Sequence, residues 1–460
     1  MEQPIRTSKS ALLLVVTVTT FMGPFMVSGV NIILPAISRE FAAGAVLMSW
    51  VANAYLLATA VMLVPMAKIA DMNGRKKIFV AGITLFSLAT ILIALAPTLW
   101  LLIGLRALQG VGAAMISVTG IAIIAAVFPP AQRGRAIGIT VAAVYTGLSS
   151  GPFAAGYLSA VWGWRSVFTV TFPVGLLSIY LAMAMIKDEW TPARGQPLDV
   201  AGICLYGLSL ILFMPGLSNM PSPNGFLLLF ASLAVFCLFI RQEMKFDCPV
   251  VEISLFRNNR GFSFSSLAAL INYAATFAVA FYLSLYLQFI KGMTPQTAGL
   301  VLICQPVMMA IFSPLAGRLS DRFEPALIAS AGMALCATGL FLLGRITAAT
   351  AIGDIVGTLL LLGLGFALFS SPNMNAIMSS VQPAHYGLAS GTVATMRLIG
   401  QMLSMAVATM FLAILIGPEQ ITPANHHCFM LSLHLGFATF CSLCLIGIWF
   451  SSARGNIQRS

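Results

Sequence analysis

The chain has 460 residues, of which 59% are hydrophobic and only 8% charged, and 24 Lys and Arg against 13 Asp and Glu leave a net charge of +11. That composition excludes a soluble globule with a wetted surface. The longest polar stretches, residues 187–199 and 241–261, are too short to bury a core of their own, so no soluble domain is expected.

Apolar runs of close to the roughly 20 residues that cross a bilayer core of about 30 Å recur along the whole length. The first, centred near residue 22, follows a segment with Arg6 and Lys9; it is too long for a removed signal peptide and lacks a small-residue cleavage site. It reads as the first span. Further helices are expected near residues 58, 87, 113, 147, 176, 209, 232, 276, 307, 334, 364, 400 and 440. The total of about fourteen spans is even, so both termini share one side. Lys68 with Arg75, Lys76 and Lys77, then Arg133 with Arg135, Lys187 with Arg194, and Arg318 with Arg322 fall on that side, whereas the other keeps Arg39, Arg165, Lys291 and Arg345. By the positive-inside bias both termini are cytoplasmic, in a multi-pass protein of a plasma (inner) membrane. Topology and contact with anionic lipid account for the net charge without a nucleic-acid partner.

Six of the eight cysteines lie in apolar runs, where a thiol behaves as a small hydrophobe. Cys441 and Cys444 have a redox-like spacing, but inside the last span and without a second pair they read as packing. His426, His427 and Cys428 share an outer loop, a weak metal pattern, so no metal is assigned. With no nucleotide-binding loop, ATP is not the direct energy source, and neither an enzyme activity nor a cofactor is expected.

Two stretches echo one another at nearly one offset. Asp71, in Ala67-Lys-Ile-Ala-Asp-Met-Asn-Gly74-Arg75, and Asp321, in Gly317-Arg-Leu-Ser-Asp-Arg322, are 250 residues apart. Pro130-Ala-x-x-Gly134-x-Ala136-x-Gly138 recurs 253 residues later from Pro383 to Gly391. Two echoes argue for duplicated halves, a construction common in secondary transporters. Eight spans separate the copies of the basic loop where two six-helix halves need six, so spans seven and eight are an insertion. The expected organisation is a six-helix bundle over residues 1–190, two accessory helices over 191–245, and a second six-helix bundle over 246–460.

Here the chain resembles the major facilitator superfamily and, within it, the fourteen-helix drug:H⁺ antiporter branch. The basic loop from Ala67 to Lys77 is similar to the superfamily's cytoplasmic loop signature, with Ala67 in place of Gly and Met72 in place of the first Arg. Arg106-Ala-Leu-Gln109-Gly110 is similar to the fourth-helix Arg signature, and Gly147-Leu-Ser-Ser-Gly151-Pro152-Phe-Ala-Ala-Gly156 to the fifth-helix signature of antiporters. Trp50 to Leu56 and Trp162 to Phe168, followed by Pro173, also look like this branch. The resemblance implies an all-α integral membrane protein with the major facilitator fold. It departs most in the first helix: where relatives end that helix with Asp four residues before the Val-Asn of their pattern, this chain carries Met26. The resemblance gives that Asp to proton or cation coupling, so coupling through the first helix is not expected here.

For each motif the residues offer a functional and a plainer reading. Asp71, Gly74 and Arg75, with Asp321 and Arg322 in the second half, form conformational latches at helix ends, or they only obey the charge bias. Gly151 and Pro152 help seal one face of a cavity, or they serve general packing. Arg106 lies deep in a span, where an unpaired cation costs at least about 2.5 kcal/mol. It contacts substrate, or it binds backbone carbonyls. Arg397 raises the same question. With these, Asn31, Asn53, Tyr55, Gln109, Tyr145, Asn272, Gln305 and Asn373 are the polar residues expected to line a midplane cavity.

The functional expectation is a monomeric secondary transporter that works by alternating access and exports amphipathic drugs or metabolites. A facilitator or importer of an anionic or zwitterionic small molecule is the alternative, and a non-transporting sensor or scaffold the third reading. The expected partners are the small-molecule substrate and the lipid bilayer.

Overall fold

The computed structural model describes residues 7–246, 256–257, 259–381 and 386–454. Among them fourteen helices are long and apolar enough to cross a membrane. In chain order these are α1 (Lys9–Glu40), α2 (Ala45–Asn73), α3 (Arg75–Ala94), α4 (Leu99–Val127), α5 (Pro130–Trp162), α6 (Arg165–Met185), α7 (Val200–Ser218) and α8 (Pro223–Glu243). They continue as α9 (Arg260–Ile290), α10 (Pro295–Ser320), α11 (Pro325–Leu343), α12 (Ile352–Ser379), α13 (Tyr386–Leu415) and α14 (His426–Ser452). Helix is what hydrocarbon dictates, since only there does an apolar segment satisfy every backbone polar group internally. Two spans are interrupted. In α9 the regular helix breaks at Phe277 and widens to a π turn over Tyr286–Ile290, and α10 breaks after Leu302.

Helices α1 to α6 pack on one another, as do α9 to α14. Between them α7 touches α2 and α13, one helix of each group, and α8 packs on α7. The Tyr206 hydroxyl of α7 donates to the Ala60 carbonyl of α2 at 3.0 Å, and Ser232 of α8 donates to the Ser209 carbonyl of α7 at 2.8 Å. The outer face of α8 exposes Leu227, Phe230 and Leu233, a surface suited to lipid.

The duplication seen in the sequence is repeated in how the helices touch. A Cβ on Gly112 of α4 would stand 2.7 Å from the Phe86 nitrogen of α3, and one on Gly365 of α12 would stand 2.8 Å from the Gly332 carbonyl of α11. Gly147 of α5 seats on the Phe21 carbonyl and Phe25 nitrogen of α1; Gly400 of α13 seats on the Leu270 carbonyl and Ala274 nitrogen of α9. Gly82 and Gly332 are 250 residues apart, and both Gly112 with Gly365 and Gly147 with Gly400 are 253 apart, the same offsets as the motif echoes. Apolar faces gain little from meeting one another in lipid, so close backbone approach over small residues supplies the packing energy.

Candidate functional site

Among the described residues, a set of hydrogen bonds joins the two helix groups at the end remote from the basic loops. There Asn53 Nδ2 of α2 donates to Thr409 Oγ1 of α13 at 2.9 Å, and Thr409 Oγ1 lies 3.0 Å from Ser49 Oγ. Ser284 of α9 donates to the Asn31 carbonyl at 2.6 Å, and Gln288 Nε2 to the Ile32 carbonyl at 2.9 Å. The Ala45 amide donates to the Glu419 carbonyl at 2.8 Å. Two glycines set the spacing between α5 and α10. A Cβ on Gly299 would lie 2.3 Å from the Pro152 carbonyl, and one on Gly156 would lie 2.5 Å from the Pro295 carbonyl. The fifth-helix signature is thus divided. Gly147 and Gly151 hold α5 on α1, where a Cβ on Gly151 would meet Ser28 Oγ, while Pro152 and Gly156 hold it on α10 of the other group.

One polar cluster joins the groups nearer the middle of the spans. Tyr145 Oη of α5 lies 3.2 Å from Ser370 Oγ of α12. The Tyr273 side chain of α9 lies near Ser370, Tyr145 and Arg397 of α13, and its ring stands edge-on to Phe366 with centroids 5.3 Å apart. Arg397 and Tyr145 are half-buried. Arg397 sits about 16 Å along α13 from its basic end at 1.5 Å per residue.

Arg106 is different. It is 1% exposed, its Nε donates to the Val51 carbonyl at 3.0 Å, one terminal nitrogen donates to Gln109 Oε1, and its guanidinium lies 4.5 Å over the Tyr55 ring. Gln109 passes the chain on, with Nε2 2.7 Å from Thr90 Oγ1 of α3. The plainer reading describes this geometry: Arg106, Gln109 and Tyr55 tie α2, α3 and α4 together inside one helix group and do not face the other. Asn373 is placed likewise, bound to the Ser265 carbonyl at 3.1 Å and to Arg454 at 3.0 Å. Burial pulls the Arg454 pKa down to about 10, which leaves it charged at neutral pH as it fastens α9 and α12 to the end of α14. Asn272 is fully buried beside Cys336, and the Gln305 carbonyl receives Gly363 of α12 at close range. Of the expected cavity residues, then, Tyr145 meets Ser370 of the other group and Arg397 lies near that pair beside Tyr273, Asn31 and Asn53 meet the other group at the joined end, and Tyr55, Arg106, Gln109, Asn272 and Asn373 are interior to their own group. Met26 has no exposed surface either, so an acid there would be buried in this conformation.

The family model for the Major Facilitator Superfamily matches residues 16–405 and 265–454. The chain belongs to the major facilitator superfamily. Riboflavin transporter RibZ of Clostridioides difficile is 27% identical over 440 residues, 96% of either chain. Multidrug resistance protein Stp of Mycobacterium tuberculosis is 31% identical over 410 residues, covering 87% of this chain and 76% of Stp. The solved structure of a bacterial homologue of the human lysosomal transporter Spinster superposes with a TM-score of 0.70 at 16% identity, covering 99% of this chain and 97% of that one. As in other members of this superfamily, the work of the fold is transport and no catalytic chemistry is expected of it.

The superfamily loop signature shows a partner that the sequence reading missed. Asp71 Oδ1 pairs with Arg75 Nε at 2.6 Å, and Arg75 also donates to the Ala122 carbonyl of α4 at 2.9 Å. The first amides of α3 are capped by Glu189, which accepts from the Lys76 and Lys77 nitrogens at 2.8 and 3.2 Å. Gly74, at φ +123°, lets that carboxylate in, since its Cβ would stand 2.6 Å from the Glu189 carboxyl carbon. A carboxylate at a helix N-terminus is favourable there, but Glu189 lies far along the chain, and only the unusual glycine hinted at a close approach. Arg322 is exposed, and the Asp321 side chain lies outside the described residues. Asp71→Asn is expected to lower turnover about tenfold, the weight of one charge-assisted hydrogen bond, with membrane expression intact. Turnover of purified variant and parent in proteoliposomes checks it, and equal rates would refute the latch.

Proposed function

We propose that this protein exports amphipathic small molecules from the cytoplasm by alternating access, with the basic loops and both termini on the cytoplasmic side of a bacterial plasma membrane. The observation that carries the proposal is the one-sided joining of the helix groups. Among the described residues, the hydrogen bonds that Asn53, Ser49, Asn31, Ile32 and Ala45 make with the other group lie at the end away from the basic loops, and Tyr145 with Ser370 lies nearer the middle. Such an arrangement is one half of a rocking cycle: the outer end is shut, and a substrate entering between the groups from the cytoplasm meets the central cluster. The outer contacts are the parts that must separate for release, and the duplicated packing makes each group a rigid body that can rock. The names of the relatives support a small-molecule cargo: a riboflavin transporter, a multidrug resistance protein and, in Streptomyces glaucescens, a tetracenomycin C resistance and export protein 28% identical over 423 residues. The functional unit is one chain, with α7 and α8 as a peripheral accessory pair. Expression in an efflux-deficient host challenged with a panel of toxic aromatic compounds tests the reading. Raised tolerance to some members is expected, and unchanged tolerance to all would refute it.

A further inference from the structure

We propose that Arg397, with the hydroxyls of Tyr145, Tyr273 and Ser370, binds a singly charged acid group on an aromatic substrate, and that the membrane potential drives this anion outward with no coupled proton. The inference rests on the exporter reading above and adds to it the charge of the cargo and the source of energy.

Two arginines lie deep in the spans. Arg106 has its guanidinium committed to Val51, Gln109 and Tyr55 and is 1% exposed. Arg397 is half-buried near Tyr273, and among the described residues no acidic side chain pairs with it. Hydroxyls solvate a guanidinium but leave its charge in place. A carboxylate or sulfonate neutralises that charge, accepts two parallel N–H bonds, and takes further donation from the tyrosine and serine hydroxyls. The Tyr273 and Phe366 rings, in edge contact, provide an aromatic wall beside the charge. Tyr145 belongs to one helix group and Ser370, Tyr273 and Arg397 to the other, so an acid group displacing the Tyr145–Ser370 bond is held by both groups at once.

A coupled proton needs a titratable group at the site. Of the 13 acidic residues, Glu40, Asp71, Glu243 and Asp354 fall within the spans, each within three residues of a helix end. Asp199 caps α7, Asp321 lies next to the last residue of its helix, and the remaining seven lie outside the spans. Of the four histidines, His434 of α14 is spent at the outer end on the Ile346 carbonyl, 2.7 Å away, His426 and His427 lie in the first turn of α14 at that same end, and His385, which precedes α13 in the sequence, lies outside the described residues. None of the described ones stands at the central cluster. A carrier that binds an anion at a fixed cation is neutral when loaded and positive when empty. The empty carrier's return from outside to inside then moves positive charge inward, which an interior-negative potential favours. One negative charge leaves per cycle, and each 100 mV supports a gradient of about 50-fold.

The test uses purified protein in proteoliposomes and two permanently charged probes on one ring, naphthalene-2-sulfonate and (2-naphthylmethyl)trimethylammonium. A potassium diffusion potential or a pH jump at zero potential is imposed separately, with protein-free liposomes as the baseline. The sulfonate is expected to move toward the positive side, to ignore the pH jump, and to lose about tenfold in flux, together with its potential dependence, in Arg397→Gln. Arg397→Lys keeps the potential dependence. Tyr145→Phe retains the charge, so it lowers the flux while preserving that dependence, which separates the charge effect from a folding defect. Sulfonate movement that follows the pH jump, or a cationic probe carried as well as the sulfonate, overturns the inference. Transport of the cation alone overturns it too, yet leaves the exporter reading standing. Movement of neither probe also overturns it, and the tolerance panel then judges the exporter reading independently.

Discussion

Gly299→Leu is expected to reduce transport at least about tenfold in a protein that still folds, because it wedges apart the end at which the two helix groups meet. With even the first side-chain carbon 2.3 Å from the Pro152 carbonyl, α5 and α10 must separate. Overpacking of this kind costs about 1–3 kcal/mol where it cannot relax. Here it can relax, since under the proposed alternating access this is the interface that opens. The cost therefore appears as a shift of population, roughly thirtyfold for 2 kcal/mol, away from the outer-closed state. A cysteine placed at Ser49, which is fully buried in that seal, reads the shift directly. It should be protected from an impermeant thiol reagent in the parent and labelled in the Gly299→Leu background. Protection in both, with normal transport, would show that the α5–α10 contact does not govern the cycle. Gly112→Leu is the contrast. It strikes α3 within one helix group, has no conformational outlet, and should lower the yield of folded protein.

Arg106→Ala is expected to destabilise the protein by about 3 kcal/mol and to lower transport of every substrate alike. The substitution strips the Val51 carbonyl and Gln109 Oε1 of their donor in a region without water, and it removes the cation over the Tyr55 ring. Arg106→Lys restores a charge but not the fork that reaches both acceptors, so it should recover only part of the loss. Thermal unfolding in detergent, set beside transport per folded molecule, checks this. Normal stability with a selective defect for anionic substrates would return Arg106 to the substrate site.

The contrast between the two arginines shows what could be learned before folding. The resemblance pointed to Arg106, in a signature of its own, whereas Arg397 stood in no motif and drew attention only as a charge within a span. Their partners reverse that order. Val51, which accepts from Arg106, and Thr90, which accepts from Gln109, belong to other helices, and neither is marked in the sequence as a partner. Ser370 carries no signal in the sequence, because one serine of the pair before Pro372 in an apolar span is unremarkable until Tyr145 arrives from the other group. Glu189 likewise became a cap only when the chain after α6 folded back over Gly74.

By itself the sequence determined that the chain crosses the membrane as helices, about how many times, and that its halves are related. In hydrocarbon a long apolar run has one way to satisfy its backbone, and a duplication leaves the same glycines at the same spacing wherever the copies come to lie. The tertiary structure alone decided which polar side chains face inward within a helix group and which face the other group. A helix is free to rotate about its own axis until its neighbours pack, and a turn of about 100° per residue separates Arg106 bound to Val51 from an arginine open to substrate. The same packing decided which end is joined. Gly156 and Gly299 are ordinary small residues until they meet the carbonyls of Pro295 and Pro152, and that meeting closes one end of the protein.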